Sequence, residues 1–279
     1  MEKDTFEKRN LILAIVFSAI FLFAVDAAFP PAPQPAPQQT VEATAPAAPK
    51  PAAGQIAEQS YAPAPAAVSK TETKSPAVSR EQAVNEFRHV AVKTPSLAGS
   101  LRLKGARFDN LSLTKYRETL AEDSPHIALL SPVGTSYPFF AEFGWVSADA
   151  LALPNSETVW NTDDTELTPE KPLTLTWDNQ AGLRFIRQIS VDKDYMFTVS
   201  DRIENYGEKI VTLFNYGLVG RTNVPPSQRG AVLEGMVGYL DGSLKEYAYD
   251  KMNKEEMASF KTTGGWAGIT DKYWMAVLA

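Results

Sequence analysis

The sequence predicts a mainly β domain held behind a long N-terminal region that cannot fold on its own. Three observations carry this. Leu11–Val25 is an apolar run interrupted only by Ser18. The stretch from Ala27 to about Arg80 is dominated by Pro, Ala, Gln, Ser and Thr. From Val84 onward, Val, Ile, Leu, Thr and aromatic residues come in short runs separated by turn residues, the pattern of an all-β domain.

The apolar run comes first in the chain. Lys3, Lys8 and Arg9 precede it, and no further Lys or Arg occurs until Lys50. Counted as Leu11–Phe29 it has 19 residues, with Asp26 as its one charge. At about 1.5 Å per residue it nearly spans a hydrocarbon core of about 30 Å. The expectation is a cytoplasmic segment 1–10 and a transmembrane helix over 11–29. The β domain then lies outside the inner (plasma) membrane, in the periplasm, with the N-terminus cytoplasmic. A cleaved signal is the alternative, since Val25-Asp26-Ala27 loosely fits a small-x-small cleavage site.

Residues 30–83 follow as a disordered linker. Eleven of the chain's 20 prolines fall between Pro30 and Pro76, and its aromatics are Phe29 just ahead of it and Tyr61. Such a segment buries too little apolar area to offset its ordering entropy. It reads as a semi-extended spacer, with a ligand for Pro-binding modules as the functional alternative.

Residues 84–279 read as the β domain. Leu97–Leu103, Leu111–Lys115, Ile127–Leu130 and Phe139–Val146 are expected strands. Leu173–Asp178, Leu183–Val191, Tyr195–Asn205 and Lys209–Val219, joined by short turns, are expected as a four-stranded antiparallel meander. In the second of these Leu183, Phe185, Ile189 and Val191 share a face with Arg187. Ala231–Leu240 and Trp266–Thr270 complete the set, with a short helix over Lys251–Phe260. Sheets this long must bury a face, so two packed sheets are expected. Lys272–Ala279 is an apolar strand at the end of the sequence. The sandwich is therefore expected to be truncated, with an open edge that favours aggregation.

Composition narrows the chemistry. Net charge is -6 and pI about 5.1, so no basic face invites nucleic acid. There is no cysteine, which removes disulfides, thiolate ligands and a Cys nucleophile. The two histidines, His89 and His126, are too few for a His-rich metal site. His126 in the loop Glu122-Asp123-Ser124-Pro125-His126 is a candidate general base or a solvated turn residue. Asp163, Asp164 and Glu166 are a candidate hard-cation cluster but lack the Asp-x-Asp-x-Asp-Gly spacing. Leu97-Ala98-Gly99-Ser100 is not a phosphate loop; its glycine fits a strand bend. Trp145, Trp160, Trp177, Trp266 and Trp274 are candidate stacking platforms or core residues. The expectation is no catalytic, cofactor-binding or metal residues, and no enzyme.

Several strings resemble one family in order and spacing. They are Leu111–Thr119, Leu129-Leu130-Ser131-Pro132 with Tyr137–Trp145, Glu204–Lys209, and Gly264-Gly265-Trp266 with Asp271–Ala276. Together with the helix-linker-β order, they resemble the N-terminal part of the YidC membrane-protein insertases of bacteria with two membranes. The resemblance implies an antiparallel β-supersandwich similar to galactose mutarotase, with no known catalysis. It implies a parent chaperone that inserts and folds inner-membrane proteins, alone or with the Sec translocon. Implied partners are nascent inner-membrane proteins, Sec translocon components and the lipid bilayer. The helical core that forms the insertase groove has no counterpart here, so no groove residue carries over. The alternative is a membrane-anchored periplasmic carbohydrate-binding or scaffold β-sandwich.

Overall fold

Period-two burial sets the architecture. Along Leu183–Val191 every second side chain, Leu183, Phe185, Arg187, Ile189 and Val191, is buried, and those between are not. The same alternation recurs in Leu173–Asp178 and across Asp109–Leu113, while Arg107, Phe108 and Asp109 are buried in succession. The computed structural model describes residues 77–223, 233–249, 252, 258–271 and 273–279. The expected segments 1–10 and 11–29, most of the linker 30–83 and most of the helix Lys251–Phe260 lie outside the described residues.

In chain order the elements are α1 (Arg80–Asn85), β1 (His89–Lys93), β2 (Leu97–Arg102), β3 (Arg107–Arg117), β4 (His126–Leu130) and β5 (Phe139–Val146). Then come β6 (Glu166–Leu167), β7 (Leu173–Asp178), β8 (Leu183–Val191), β9 (Phe197–Asn205) and β10 (Phe214–Arg221). β11 (Gly235–Leu240), β12 (Ser243–Ala248), β13 (Gly265–Asp271) and β14 (Trp274–Leu278) complete it. Among the described residues these make three sheets, in the orders β10-β5-β3-β2-β1-β6 with β4 on β3, β7-β8-β9, and β12-β11-β13-β14. All pairings are antiparallel except the short β1–β6 contact.

The large sheet and the β7–β9 sheet face each other across one core. Trp145 and Phe185 have ring centroids 5.0 Å apart, and Phe108 and Phe197 5.2 Å. Val92, Leu101, Leu167, Leu173, Leu175 and Ile189 are fully buried around them. Antiparallel, sandwich-like packing is therefore as expected, but with three sheets rather than two.

The four-stranded meander is corrected to three strands. The fourth segment begins at Phe214 rather than Lys209 and leaves the sheet to pair with β5 over eight residues. The reason is side-chain fit: aromatics on one strand face glycines on the other. A Cβ at Gly144 would stand 2.6 Å from Tyr216 Oη, one at Gly217 3.3 Å from the Phe143 ring, and one at Gly220 3.1 Å from Phe140. β9 has no such glycine row to offer. Other differences are smaller. β1, β6 and β12 were not expected as strands, being short or rich in charge. β3 is longer than Leu111–Lys115, and β11 begins at Gly235.

Gly99 behaves as its sequence position suggests. It has φ 154°, and a Cβ there would lie 1.9 Å from the Asn110 carbonyl oxygen, beside a register shift at Ser100/Leu101. The chain enters this region through α1. Ser79 and Gln82 form a reciprocal capping box, and Val78 N–H donates to Gly134 O at 3.0 Å. Folded structure thus starts ahead of Val84.

Candidate functional site

The buried charged side chains form two layers, besides the pair in which Arg221 of β10 donates to Asp271 of β13 at 2.7 Å. The first lies between the facing sheets. Arg187 (β8) is fully buried and donates to both Asp201 carboxylate oxygens on β9, at 2.8 and 3.0 Å. It donates as well to Phe143 O on β5 at 3.0 Å, and its guanidinium stands 4.9 Å from the Trp145 ring and 5.2 Å from Trp160. This one cation ties three strands in two sheets together.

The second layer lies on the opposite face of the large sheet. Arg102, Arg107, Asp109 and Glu142 alternate with the core residues Leu101 and Phe108 and so point away from the core. Arg107 Nε donates to Glu142 at 2.8 Å, with its guanidinium 4.2 Å from the Phe140 ring. Arg102 lies 3.3 Å from Asp109. Helix α1 covers part of the layer: Arg80 donates to Ser112 Oγ at 2.8 Å and Leu130 O at 3.1 Å. Burial pushes the Asp109 carboxyl above its ordinary value, with Arg102 and Arg107 pulling the other way. Burial likewise lowers Arg102 and Arg80. Tyr216 is raised by burial and then by Glu142. Where this layer meets solvent, Gly105, Glu142, Asn155, Trp160 and Tyr216 line a cleft of about 10 Å³. That is room for about one water and for no substrate.

The residues singled out in sequence do not converge. His89 opens β1 with Nδ1 3.1 Å from Phe87 O, and His126 opens β4 with Nδ1 3.3 Å from Tyr116 O; both are exposed. Glu166 pairs with Lys93 at 3.3 Å, and Asp164 with Lys171 at 3.6 Å while accepting Thr174 N–H. Asp163 lies in the bend before β6. Among the described residues no three His, Asp or Glu side chains are grouped to hold a metal. Trp145 and Trp160 are core, and Trp177 packs on Phe185 at 5.6 Å.

Sequence reasoning did not find the Arg–carboxylate pairs, although one signal was there: an arginine in the apolar row of β8. It also did not find the outward face of the β11–β14 sheet. Val237, Tyr239, Leu244, Trp266, Met275 and Val277 share that face through the registers Tyr239↔Leu244, Tyr239↔Trp266 and Gly268↔Val277. Four of them, Tyr239, Leu244, Met275 and Val277, are exposed. The other face carries Ile269 and Ala276 onto the core. Val237 in the same row is buried and Glu246 stands opposite it, so the exposed apolar side chains are Tyr239 with Leu244 and Met275 with Val277. Exposed apolar groups of this kind suit a partner surface better than a catalytic cleft.

Residues 89–279 match the YidC periplasmic domain family. The chain is 44% identical to the membrane protein insertase YidC of Methylorubrum extorquens (strain PA1), over 97% of this chain and 47% of that protein. Against the insertase of Beijerinckia indica identity is 52%, over 75% of this chain and 35% of that protein. Against the insertase of Bradyrhizobium diazoefficiens it is 41%, over 98% and 46%. The chain thus spans about half the length of the relatives it matches, or less. A mainly β, sandwich-like domain and this likeness over nearly the whole sequence lead to one conclusion: the chain belongs to the YidC membrane-protein insertase family.

Proposed function

We propose that this chain is the membrane-tethered periplasmic portion of an insertase that helps inner-membrane proteins insert and fold, alone or with the Sec translocon. The observation that carries it is the pairing of an outward apolar sheet face with a domain whose buried charges are structural. Leu11–Phe29 serves as the anchor, with residues 1–10 cytoplasmic and 30–83 as the spacer. No helix among the described residues is long and apolar enough to cross a membrane. The β domain is read as a supersandwich of the galactose mutarotase type, and its role as binding and spacing rather than catalysis. Its partners are nascent inner-membrane proteins, Sec components and the bilayer surface.

Photo-crosslinking tests this. A crosslinking amino acid is placed at Tyr239 or Leu244 of the full chain, co-expressed in cells making an inner-membrane client. Adducts with the client or with Sec subunits are expected there, and not from Thr198 on β9. Equal labelling from all three positions, or none, would reject the binding role. With an epitope tag placed ahead of Met1, protease added to spheroplasts should cut within residues 30–83, releasing the β domain, and leave the tag protected. An uncut chain that is cleaved only after the membrane is lysed would reject the topology.

A further inference from the structure

Few contacts hold α1 to the large sheet. A helix of six residues is too short to persist in water through its own hydrogen bonds, so docking must hold it. Ala83 is its single buried residue. Arg80 supplies the polar grip through Ser112 Oγ and Leu130 O, yet its Nε is buried with no hydrogen-bond partner among the described residues. A buried donor left without a partner works against closure. The strands beside it are held differently: Val90, Val92 and Leu101 on β1 and β2 are fully buried in the core.

Charge points the same way. Without α1 the second layer is balanced, Arg102 against Asp109 and Arg107 against Glu142. Arg80 brings a third guanidinium to these two carboxylates, and its neighbour Glu81 is exposed to solvent. Burial lowers the Arg80 pKa despite the attraction of Glu81 and Asp109, so docking disfavours its charged form. Phe87 marks where the weak attachment ends. Its ring lies 4.9 Å from the Arg102 guanidinium and 5.0 Å from Lys104 Nζ, and Arg88 O accepts Leu103 N–H at 2.9 Å.

We propose that residues 78–86 are a strap, hinged at Phe87, that opens and closes over the second charged layer while the sheets stay folded. Opening releases Ser112 Oγ and Leu130 O and exposes the layer beside Asp109. A covered charged face becomes an accessible one with β1 still in place. The strap does not rest on the insertase reading.

The chain has no cysteine, so single introduced thiols report the opening. Ala83→Cys places one on the buried side of α1, and Val92→Cys places one in the core. In full-length chains in detergent, iodoacetamide should label A83C about 100-fold faster than V92C, because a local opening costs only part of the global unfolding free energy. A83C should still react more slowly than in the urea-unfolded chain. Ser79→Ala removes the capping box from an exposed position, and should speed A83C labelling about fivefold while leaving V92C unchanged. Equal rates at the two thiols, or an equal response of both to Ser79→Ala, mean that α1 leaves only when the sheets unfold, and overturn the proposal. An A83C thiol as reactive as in the unfolded chain overturns it too, since nothing then closes.

Discussion

The facing sheets β1–β10 and the sheet β11–β14 are built from similar residues but sealed differently. Between the facing sheets, apolar rows from both sides interlock around Arg187, which is fully buried with its partners in place. In the β11–β14 sheet only Ile269 reaches the fully buried core cluster, while Tyr239, Leu244, Met275 and Val277 face solvent. The first region holds the fold. The second has apolar surface to spare for something else. The difference teaches that a β-rich composition does not by itself say which face is core: the opposing sheet decides.

The comparison can be broken most severely at Arg187. Asp201→Ala leaves a buried guanidinium without its counter-charge and should cost about 3–5 kcal/mol in chemical denaturation. Replacing both residues together, Arg187→Met with Asp201→Val, should recover much of that. If the single change costs under ~1 kcal/mol, the Arg187 tie does not hold the sheets. Next comes Leu101→Ala, fully buried on β2, expected to cost about 2–5 kcal/mol. The matching change in the other region, Leu244→Ala, removes a side chain that is 56% exposed and should stay within about 0.5 kcal/mol. A loss at Leu244 as large as at Leu101 would mean that the outer face is covered.

A subtler contrast is one of pH. Asp109 has a folded-state pKa above its unfolded value because burial disfavours the carboxylate. The folded state therefore binds its proton more tightly. Its contribution to stability is present at low pH and is lost as pH rises from near the ordinary value of about 3.9 through the raised one. Across that window the parent should lose stability relative to Asp109→Asn. A parent-minus-variant difference that is flat with pH, or rises, would show that Arg102 and Arg107 outweigh burial.

Much of the β domain was legible in its sequence. β5, β7 and β8 are bounded as expected, because strong period-two rows end at turn residues such as Asn179–Gly182. Gly99 was legible as a bend for the same local reason. β10 was not, because its pairing with β5 depends on glycines opposite aromatics far apart in sequence, Gly144 with Tyr216, Phe143 with Gly217 and Phe140 with Gly220, a match no local window contains. The two-residue β6 and the charged β12 owe their strand state to neighbours rather than propensity. Of the candidate site, the histidines and the acidic cluster were readable as unconnected residues. The outer apolar face was not, since alternation marks two faces and does not say which one lacks a lid.

Arg80 has a mechanical consequence. It grips Ser112 on β3 and Leu130 beyond it at the end of β4, while Val78 is bonded to the following loop at Gly134. Tension arriving along the polypeptide from the N-terminal side is therefore divided between two adjacent strands before it reaches β1. The load path begins in the middle of the large sheet instead of at its rim. A pull on the chain ahead of Val78 would have to shear that joint before it could peel any strand away.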